Sequence, residues 1–256
     1  MSGLKTTIIL MRKLFDFEQV FKQMPEILKY LPVTLQLSVI SMFIAVVLGL
    51  ALALINIKKI PVLKQITQIY ISIVRGTPII VQLYIAYFGI PMITKYICFK
   101  NGIEYQPSET SGMVYAIIAL SINESAYIAE TFRGALLSVG TGQIEAASAL
   151  GMTYFQSLRR IILPETLTIA LPNLGNSFIG LIKGTSLAFT CAVVEIAAQG
   201  KIIGGRTYRY FEVYVSLAII YWILTVVVEQ MIKLIEKKTR IPEQVEMVKT
   251  DVIKEI

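Results

Sequence analysis

The sequence predicts an all-α integral membrane protein with five transmembrane helices. Hydrophobic residues fill 55% of the 256 positions, charged residues only 16%, and the mean hydropathy is +0.67. These values lie outside the usual range for a soluble domain. The apolar residues form blocks of about 20, long enough to cross roughly 30 Å of hydrocarbon as helices. The sequence contains no internal repeat or linker, so we predict a single domain over residues 1–256.

Five segments meet this length requirement. They comprise residues 31–55, 69–93, 113–132, 171–194 and 211–232. The first is followed by Lys58 and Lys59, and the second contains the run Arg75-Gly76-Thr77-Pro78. Helices are expected throughout, because backbone polar groups within the hydrocarbon must be satisfied inside their own segment.

An amphipathic segment at about residues 15–30 precedes the first span. Its apolar side chains recur at steps of three and four, with charged residues between them, a pattern typical of a helix on the bilayer surface. These side chains are Phe17, Val20, Phe21, Met24, Leu28 and Leu31. A cleavable signal is less favoured, because its continuous apolar core would be longer than Ile8-Ile9-Leu10.

Composition also excludes several functions. The net charge of +7 is dispersed between apolar blocks, as expected for charges that flank membrane spans and not for a nucleic-acid-binding surface. The chain has no histidine, which excludes histidine-based metal sites and Ser-His or Cys-His nucleophile pairs. Cys98 and Cys191 form no CxxC pair and are predicted to be small core residues. We therefore predict no metal site and no catalytic residue.

A polar, helix-forming segment at residues 143–165 connects the third and fourth spans. Residues 143–150 are rich in helix formers, and Gly151 can adopt the left-handed geometry that ends a helix. Thr153 and Gln156 match a capping box, which predicts a second helix running toward Pro164. From spacing alone, an ordinary helical connecting loop would explain the segment equally well.

This connecting segment resembles the EAA loop of the membrane subunits of ABC-type importers. Glu145-Ala146-Ala147 is followed after three residues by Gly151, and Leu163-Pro164 ends the segment. The family pattern is EAAxxxG with an IxLP-like ending some nine residues on.

Other motifs place the resemblance within the permeases of the polar amino acid uptake family, over about residues 31–236. They are Arg75-Gly76-Thr77-Pro78 with Val81-Gln82-Leu83 in span two, Ala126-Tyr127-Ile128-Ala129-Glu130 with Arg133-Gly134 in span three, and Lys183 with Thr185-Ser186-Leu187 in span four. Gly184 stands where the family more often has a polar residue, so no role of that side chain is carried over. Residues 206–214 and 220–223 look closest to permeases for cystine and related sulfur amino acids.

The resemblance implies a function and an ABC type I importer fold. It implies that the chain is the permease subunit of an ATP-driven importer that moves a polar amino acid into the cytoplasm. L-Cystine or a related sulfur amino acid is the favoured solute. In this family, the coupling residues of the EAA loop bind in a groove of a cytoplasmic ATPase. The corresponding residues here are Glu145, Ala146, Ala147, Gly151, Leu163 and Pro164. An ion-coupled secondary transporter or channel remains the alternative, and a membrane-embedded enzyme is disfavoured because the spans have no paired carboxylates on one helical face.

The resemblance also implies partners. They are a second permease subunit, identical or homologous, two ATP-binding cassette subunits and an extracytoplasmic amino-acid-binding protein. The chain has no P-loop sequence, so it is expected to be no enzyme and to bind no cofactor itself. ATP and Mg²⁺ would lie on the partner ATPase.

The expected location is a bacterial cell membrane, with several spans crossing the lipid bilayer. Five spans place the termini on opposite faces, and Lys and Arg are slightly more numerous on the side of the C terminus. This charge bias favours a cytoplasmic C terminus and an external N terminus, and the resemblance implies the same orientation.

Polar residues at membrane depth suggest where the solute passes. The candidates are Gln82, Asn123, Glu124, Lys183, Thr185 and Ser186. We expect Glu124 to receive the ammonium group of an amino acid, with Asn123 and Gln82 as neutral partners and Lys183 closer to the carboxylate. Alternatively, Glu124 and Lys183 pair with each other or with backbone and only hold the helices together.

Two further groups of residues have open interpretations, and one pair has a single expected role. Arg75-Gly76-Thr77-Pro78 either marks a membrane boundary or forms a hinge for gating. Glu130 is expected to pair with Arg133 at i+3. The aromatic and charged residues 206–211 either anchor span five at the membrane interface or dock a binding protein.

Overall fold

The computed structural model describes residues 15–58, 60–106 and 110–239, and every regular element in these ranges is helical. The helices are α1 (Phe17–Leu28), α2 (Leu31–Lys58), α3 (Pro61–Gly76), α4 (Ile79–Tyr84), α5 (Ile90–Lys100), α6 (Gly112–Ser138), α7 (Thr141–Ala149), α8 (Tyr154–Ser157), α9 (Leu163–Gly184), α10 (Ile196–Thr207) and α11 (Tyr210–Thr239). π-helical turns join α4 to α5 (Ile85–Gly89) and α8 to α9 (Leu158–Ile162), and a 3₁₀ turn (Thr185–Cys191) follows α9. The remaining parts of the predicted 1–256 domain lie outside the described residues.

Four helical stretches in the described part of the chain are long and apolar enough to cross a membrane. They are Leu31–Lys58, Ile79–Lys100, Gly112–Ser138 and Tyr210–Thr239. The bent pair Tyr154–Cys191 and Ile196–Thr207, which meets at 56°, raises the number to five if it forms one span. The predicted all-helical fold with several candidate spans is confirmed, whereas the count of five depends on this pair.

The second and fourth predicted spans need correction. Span two is predicted at 69–93, but α3 ends at Gly76 and the apolar stretch begins at Ile79. Span four is predicted as one segment at 171–194, but α9 ends at Gly184. The 3₁₀ turn that follows ends at Cys191 and is capped by Ala192, whose φ is 58°. Hydropathy does not register a helix break inside an apolar run, which explains both differences.

Proline causes the break between α3 and α4. Pro78 disfavours the α conformation for the preceding residue, and Thr77 is extended, with φ −114° and ψ 138°. The Gln82 amide nitrogen donates to the Val74 carbonyl at 2.8 Å and to the Thr77 hydroxyl at 2.7 Å. The side chain of Gln82 therefore satisfies backbone groups that the break leaves unpaired.

Both π-helical turns come directly before a proline in the next helix. Pro91 is the second residue of α5, and Pro164 is the second residue of α9. Proline has no N–H to donate to the carbonyl four residues earlier, and its ring crowds that carbonyl. The preceding turn widens to i→i+5 pairing, as is common where an α-helix accommodates an irregularity.

A groove of small residues on α2 receives the central helix α6. Ala45, Gly49 and Ala53 are buried on one face of α2, opposite Ile128 and Phe132 of α6. A Cβ atom at Gly49 would lie 2.6 Å from the Ile128 Cγ2 atom, so only glycine permits this approach. Small residues at four-residue spacing allow close packing of membrane helices, where dispersion contributes much of the stabilisation.

Helix α1 lies against α10 and α11. Buried Val20 and Ile27 face these helices, and the Ser216 hydroxyl donates to the Val20 carbonyl at 2.7 Å. Arg206 pairs with Glu26 at 2.8 Å. Phe17, Phe21 and Leu28, on an adjacent face, are exposed. A helix therefore exists where the amphipathic segment is predicted, and its contact with lipid stays a prediction.

Candidate functional site

An elbow of two short helices, comprising residues 141–162, projects between α6 and α9. Its first helix ends as the sequence predicts, because Gly151 has a φ of 73°. The Met152 N–H donates to the Ala147 carbonyl at 3.1 Å and the Gly151 N–H to the Ser148 carbonyl at 3.0 Å. These bonds satisfy carbonyls that a helix end would otherwise leave free.

The predicted capping box begins the second helix of the elbow. The Gln156 N–H donates to the Thr153 hydroxyl at 3.3 Å, and the Thr153 N–H donates to the Gln156 side-chain oxygen at 2.9 Å. The helix is not regular over the predicted length, because the π-helical turn Leu158–Ile162 replaces α geometry before Pro164.

The elbow exposes an apolar ridge, defined as Leu150, Tyr154 and Phe155. The exposed fractions are 78% for Leu150 and 69% for Phe155, and Glu145 and Ala146 are also exposed. Ala147 is only 1% exposed, so it faces the chain's own helices, whereas the sequence places both alanines at a partner surface. Leu163 is half-buried and Pro164 is exposed.

Two side-chain contacts hold the elbow to the spans. The Gln143 amide donates to Glu165 Oε1 at 3.1 Å, which joins α7 to α9. The Lys58 Nζ atom lies 5.1 Å from the centre of the Tyr154 ring, which joins α2 to α8. Sequence reasoning missed Glu165, although its place in the first turn of α9, where a carboxylate is favourable, is a usable signal.

Gln82 and Asn123, the two residues expected to be neutral partners of the solute, lie next to each other in the structure. The Asn123 amide nitrogen donates to Gln82 Oε1 at 3.2 Å. Gln82 also lines a cavity of about 330 Å³ bounded mainly by apolar side chains of α3 to α6. Two neutral amides therefore meet beside a hollow large enough for several heavy atoms.

Glu124 and Lys183 do not form an ion pair within the described residues. The half-buried Glu124 carboxyl makes a hydrogen bond with Ser177 of α9, whereas Lys183 is exposed. The alternative that Glu124 and Lys183 pair directly is therefore not seen in this chain. Thr185 is buried and donates to the Ile182 carbonyl at 2.7 Å, and Ser186 is half-buried.

The remaining predicted residues lie on α3 and α6. Arg133 and Glu130 form the expected ion pair, at 2.8 Å. The Arg75 guanidinium lies 5.4 Å from the centre of the Tyr127 ring, which joins α3 to α6. A Cβ atom at Gly76 would meet nothing within 4 Å, so a side chain at this position would have open space.

Sequence reasoning missed Glu195, which is fully buried at the corner between the 3₁₀ turn and α10. The hydroxyl groups of Thr34 and Tyr221 each donate to Glu195 Oε2 at 3.3 Å, and the Ala198 N–H donates to Oε1 at 2.8 Å. One carboxylate thus links α2, α10 and α11. The signal was an acidic residue in an apolar run, one position beyond the predicted end of span four.

The fold and the elbow together define a helical protein with several candidate membrane spans and a two-helix projection between α6 and α9. The family described as binding-protein-dependent transport system inner membrane component matches residues 18–241. The chain belongs to this family.

The matches to curated relatives cover most of this chain and most of each relative. The chain is 45% identical over 212 residues to the probable amino-acid permease protein YxeN of Bacillus subtilis, covering 83% of this chain and 90% of that protein. It is 38% identical over 230 residues to the L-cystine transport system permease protein TcyL of the same species, covering 90% and 94%.

Solved structures with this fold include an amino acid ABC transporter solved with histidines. That chain superposes with a TM-score of 0.72 at 33% identity, covering 88% of this chain and 99% of the other. The MetNI methionine ABC transporter in an inward-facing conformation superposes with a TM-score of 0.68 at 22% identity, covering 84% and 96%, and shows the fold alone.

Proposed function

We propose that this chain is the membrane-spanning permease subunit of an ATP-driven importer that carries a polar amino acid into the cytoplasm. The elbow is the observation that carries the proposal. It presents Glu145-Ala146 and the apolar ridge to solvent on a turn fixed by Gly151. Exposed apolar surface on a projection is suited to a groove on a partner protein.

The contacts of the elbow suggest how a partner ATPase would act on the spans. Gln143 bonds to Glu165 at the start of α9, and Tyr154 contacts Lys58 at the end of α2. Displacement of the elbow by the ATPase would therefore reach two membrane helices directly. ATP and Mg²⁺ would be held by the partner, while this chain supplies the docking surface and no cofactor site.

The solute pathway follows the polar side chains at membrane depth. Glu124 would accept the ammonium group of the amino acid, and the Gln82–Asn123 pair would supply neutral donors and acceptors beside it. Lys183 and Ser186 are accessible in the single chain. Thr185, which is buried and bonded to backbone, would act by shaping the turn after α9.

Among polar amino acids we propose L-cystine or a related sulfur amino acid as the solute. The similarity to TcyL supports this choice. L-Cystine carries an ammonium and a carboxylate group at each end, and the neutral amides of Gln82 and Asn123 can hydrogen-bond to such groups.

The assembly would contain a second permease subunit, identical or homologous, two ATP-binding cassette subunits and an extracytoplasmic binding protein. The bent pair of helices would serve as the fifth span, with the N terminus outside and the C terminus in the cytoplasm of a bacterial cell. Helix α1 would lie at the outer interface, where exposed Phe17, Phe21 and Leu28 would meet lipid. Arg75-Gly76-Thr77-Pro78 would form the gating hinge.

Uptake into proteoliposomes tests the proposal. The vesicles hold this chain with its ATPase and binding protein, and take up labelled cystine, arginine, glutamine or histidine with and without ATP. We expect uptake that requires ATP, persists with an ionophore and is largest for cystine. Uptake that ignores ATP and collapses with the ionophore would instead establish an ion-coupled secondary transporter or channel.

A matched pair of variants tests the solute site. Glu124→Gln should raise the half-saturating solute concentration about tenfold, because a charge-assisted hydrogen bond is lost. Glu229→Gln, at an exposed position on α11, should leave it unchanged. Unaltered apparent affinity together with a lower melting temperature would assign Glu124 a structural role.

A further inference from the structure

Two hollows lie next to each other at the ends of α2 and α6, close to α3 and the elbow. The polar hollow, of about 340 Å³, is lined by Asn56, Lys64, Gln68, Glu130 and Arg133. The apolar hollow, of about 320 Å³, is lined largely by Leu54, Leu136, Ile144, Met152, Leu158 and Ile162. Ile57 and Leu137 belong to both walls, so a polar and an apolar space meet along a shared edge.

The polar hollow favours an anion. Its wall has two cations and one carboxylate, and that carboxylate, Glu130, already pairs with Arg133 at 2.8 Å. Lys64 forms no ion pair with the residues that the structure describes. The Arg133 guanidinium uses only Nε and Nη2 toward Glu130, which leaves further N–H donors for a second acceptor. A phosphate group matches this arrangement of donors.

Each hollow also has a buried polar atom in its wall without a hydrogen-bond partner among the described residues. These atoms are Asn56 Oδ1 in the polar hollow and Ser157 Oγ in the apolar hollow, and Ser157 is only 6% exposed. Buried polar atoms normally have partners, so both walls favour a ligand that brings its own polar groups. Such a ligand combines an anionic head, hydroxyl or ester oxygens and an apolar chain.

We propose that the two hollows form one binding site for an anionic phospholipid of the leaflet on the elbow side. The phosphate lies between Lys64 and Arg133, and an acyl chain enters the apolar hollow past Ile57 and Leu137. Basic pockets between membrane helices commonly receive such head groups. Because elbow residues form one wall of the apolar hollow, the bound lipid joins the elbow to the spans. The site does not depend on which solute the protein carries.

Photo-crosslinking tests this proposal directly. The complete complex is placed in phosphatidylcholine vesicles containing a phosphatidylglycerol analogue with a photoreactive group on its acyl chain. We expect labelling of this chain within residues 54–57 and 136–162. Unlabelled phosphatidylglycerol should compete, and added phosphatidylcholine should not. This comparison uses the wild-type protein, so it does not depend on a variant that folds.

Variants then test the two halves of the site. Lys64→Gln with Arg133→Gln should lower the labelling yield about tenfold, since each basic residue near the membrane contributes to attraction of the anionic head group. Leu137→Trp, in the shared wall, should lower it by filling the hollows. Lys237→Gln with Lys238→Gln removes the same charge at exposed positions of α11 and should leave labelling unchanged.

Three results would overturn the proposal. The first is equal labelling of wild type and the Lys64 and Arg133 double variant. The second is equal competition by phosphatidylcholine, which would mean that the hollows take any lipid chain. The third is labelling that appears only after the ATPase is removed, which would mean that the ATPase covers the hollows in the complete complex and excludes lipid. None of these results depends on solute uptake, so the proposed transport function is tested separately.

Discussion

The helix corners at Gly151 and Ala192 both have a left-handed residue, but their supports differ. At the elbow, Gly151 has a φ of 73°, is exposed, and is followed by the Thr153 capping box. At the corner before α10, Ala192 has a φ of 58°, and buried Glu195 accepts hydrogen bonds from three helices. The first corner is held by neighbours in sequence, and the second by residues distant in sequence.

The two corners differ in which interactions stabilise them. A solvated corner needs a residue that tolerates positive φ and a local cap, because water satisfies the remaining groups. A corner in the interior must pair every polar group with protein. The elbow should therefore respond to local substitutions, and the Glu195 corner to loss of tertiary hydrogen bonds.

Glu195→Ala should have the largest effect. It leaves the hydroxyl groups of Thr34 and Tyr221 and the Ala198 N–H without their acceptor, at a cost of about 3 kcal/mol. The melting temperature of the purified protein in detergent should fall markedly. Glu229→Ala, at an exposed position on α11, is the control. Equal melting temperatures for the two variants would mean that the buried carboxylate does not support this corner.

Gly151→Ala should have the next largest effect, on the coupling between ATP hydrolysis and solute transport. A Cβ atom at positive φ costs about 1 to 2 kcal/mol, so the angle of the elbow changes while the core stays intact. We expect more ATP hydrolysed per solute transported, at nearly unchanged melting temperature. Gly142→Ala lies in the same elbow, has open space around its Cβ position and should behave as wild type. An unchanged ratio in the Gly151 variant would argue against a fixed elbow.

Thr153→Ala should have a smaller effect, about 1 kcal/mol, because it removes the side-chain acceptor of the Gln156 N–H. Hydrogen exchange at Gln156 should become faster while exchange in α6 does not change. Thr153→Ser keeps the hydroxyl and should restore protection. If serine fails to restore it, the methyl group of Thr153 and not the cap would account for the effect.

Ala192→Gly should have the smallest effect, and in the opposite direction. Glycine adopts positive φ without steric cost, and the exposed Ala192 side chain contributes little packing. We expect a melting temperature equal to or slightly above that of wild type. A clear decrease would show that the Ala192 methyl group makes a stabilising contact and that this corner is not strained.

The sequence predicts features whose causes are local. Gly151 and the pair Thr153 and Gln156 determine their own geometry, and both were predicted correctly. Glu195 was missed because its partners, Thr34 and Tyr221, are distant in the chain. The inward position of Ala147 could not be predicted, because two adjacent alanines in one helix look alike until the packing partner is known. The exposure of the apolar ridge could not be predicted either, because it depends on how the other helices pack around the elbow.

The close fit at Gly49 has a consequence for motion. Because the α2 surface follows the α6 side chains at Ala45, Gly49 and Ala53, neither helix can slide along the other without opening a gap. We expect α2 and α6 to keep their relative position through a transport cycle. Changes in shape would then occur where the chain is already interrupted, at the Thr77-Pro78 break, the two π-helical turns and the corner at Ala192.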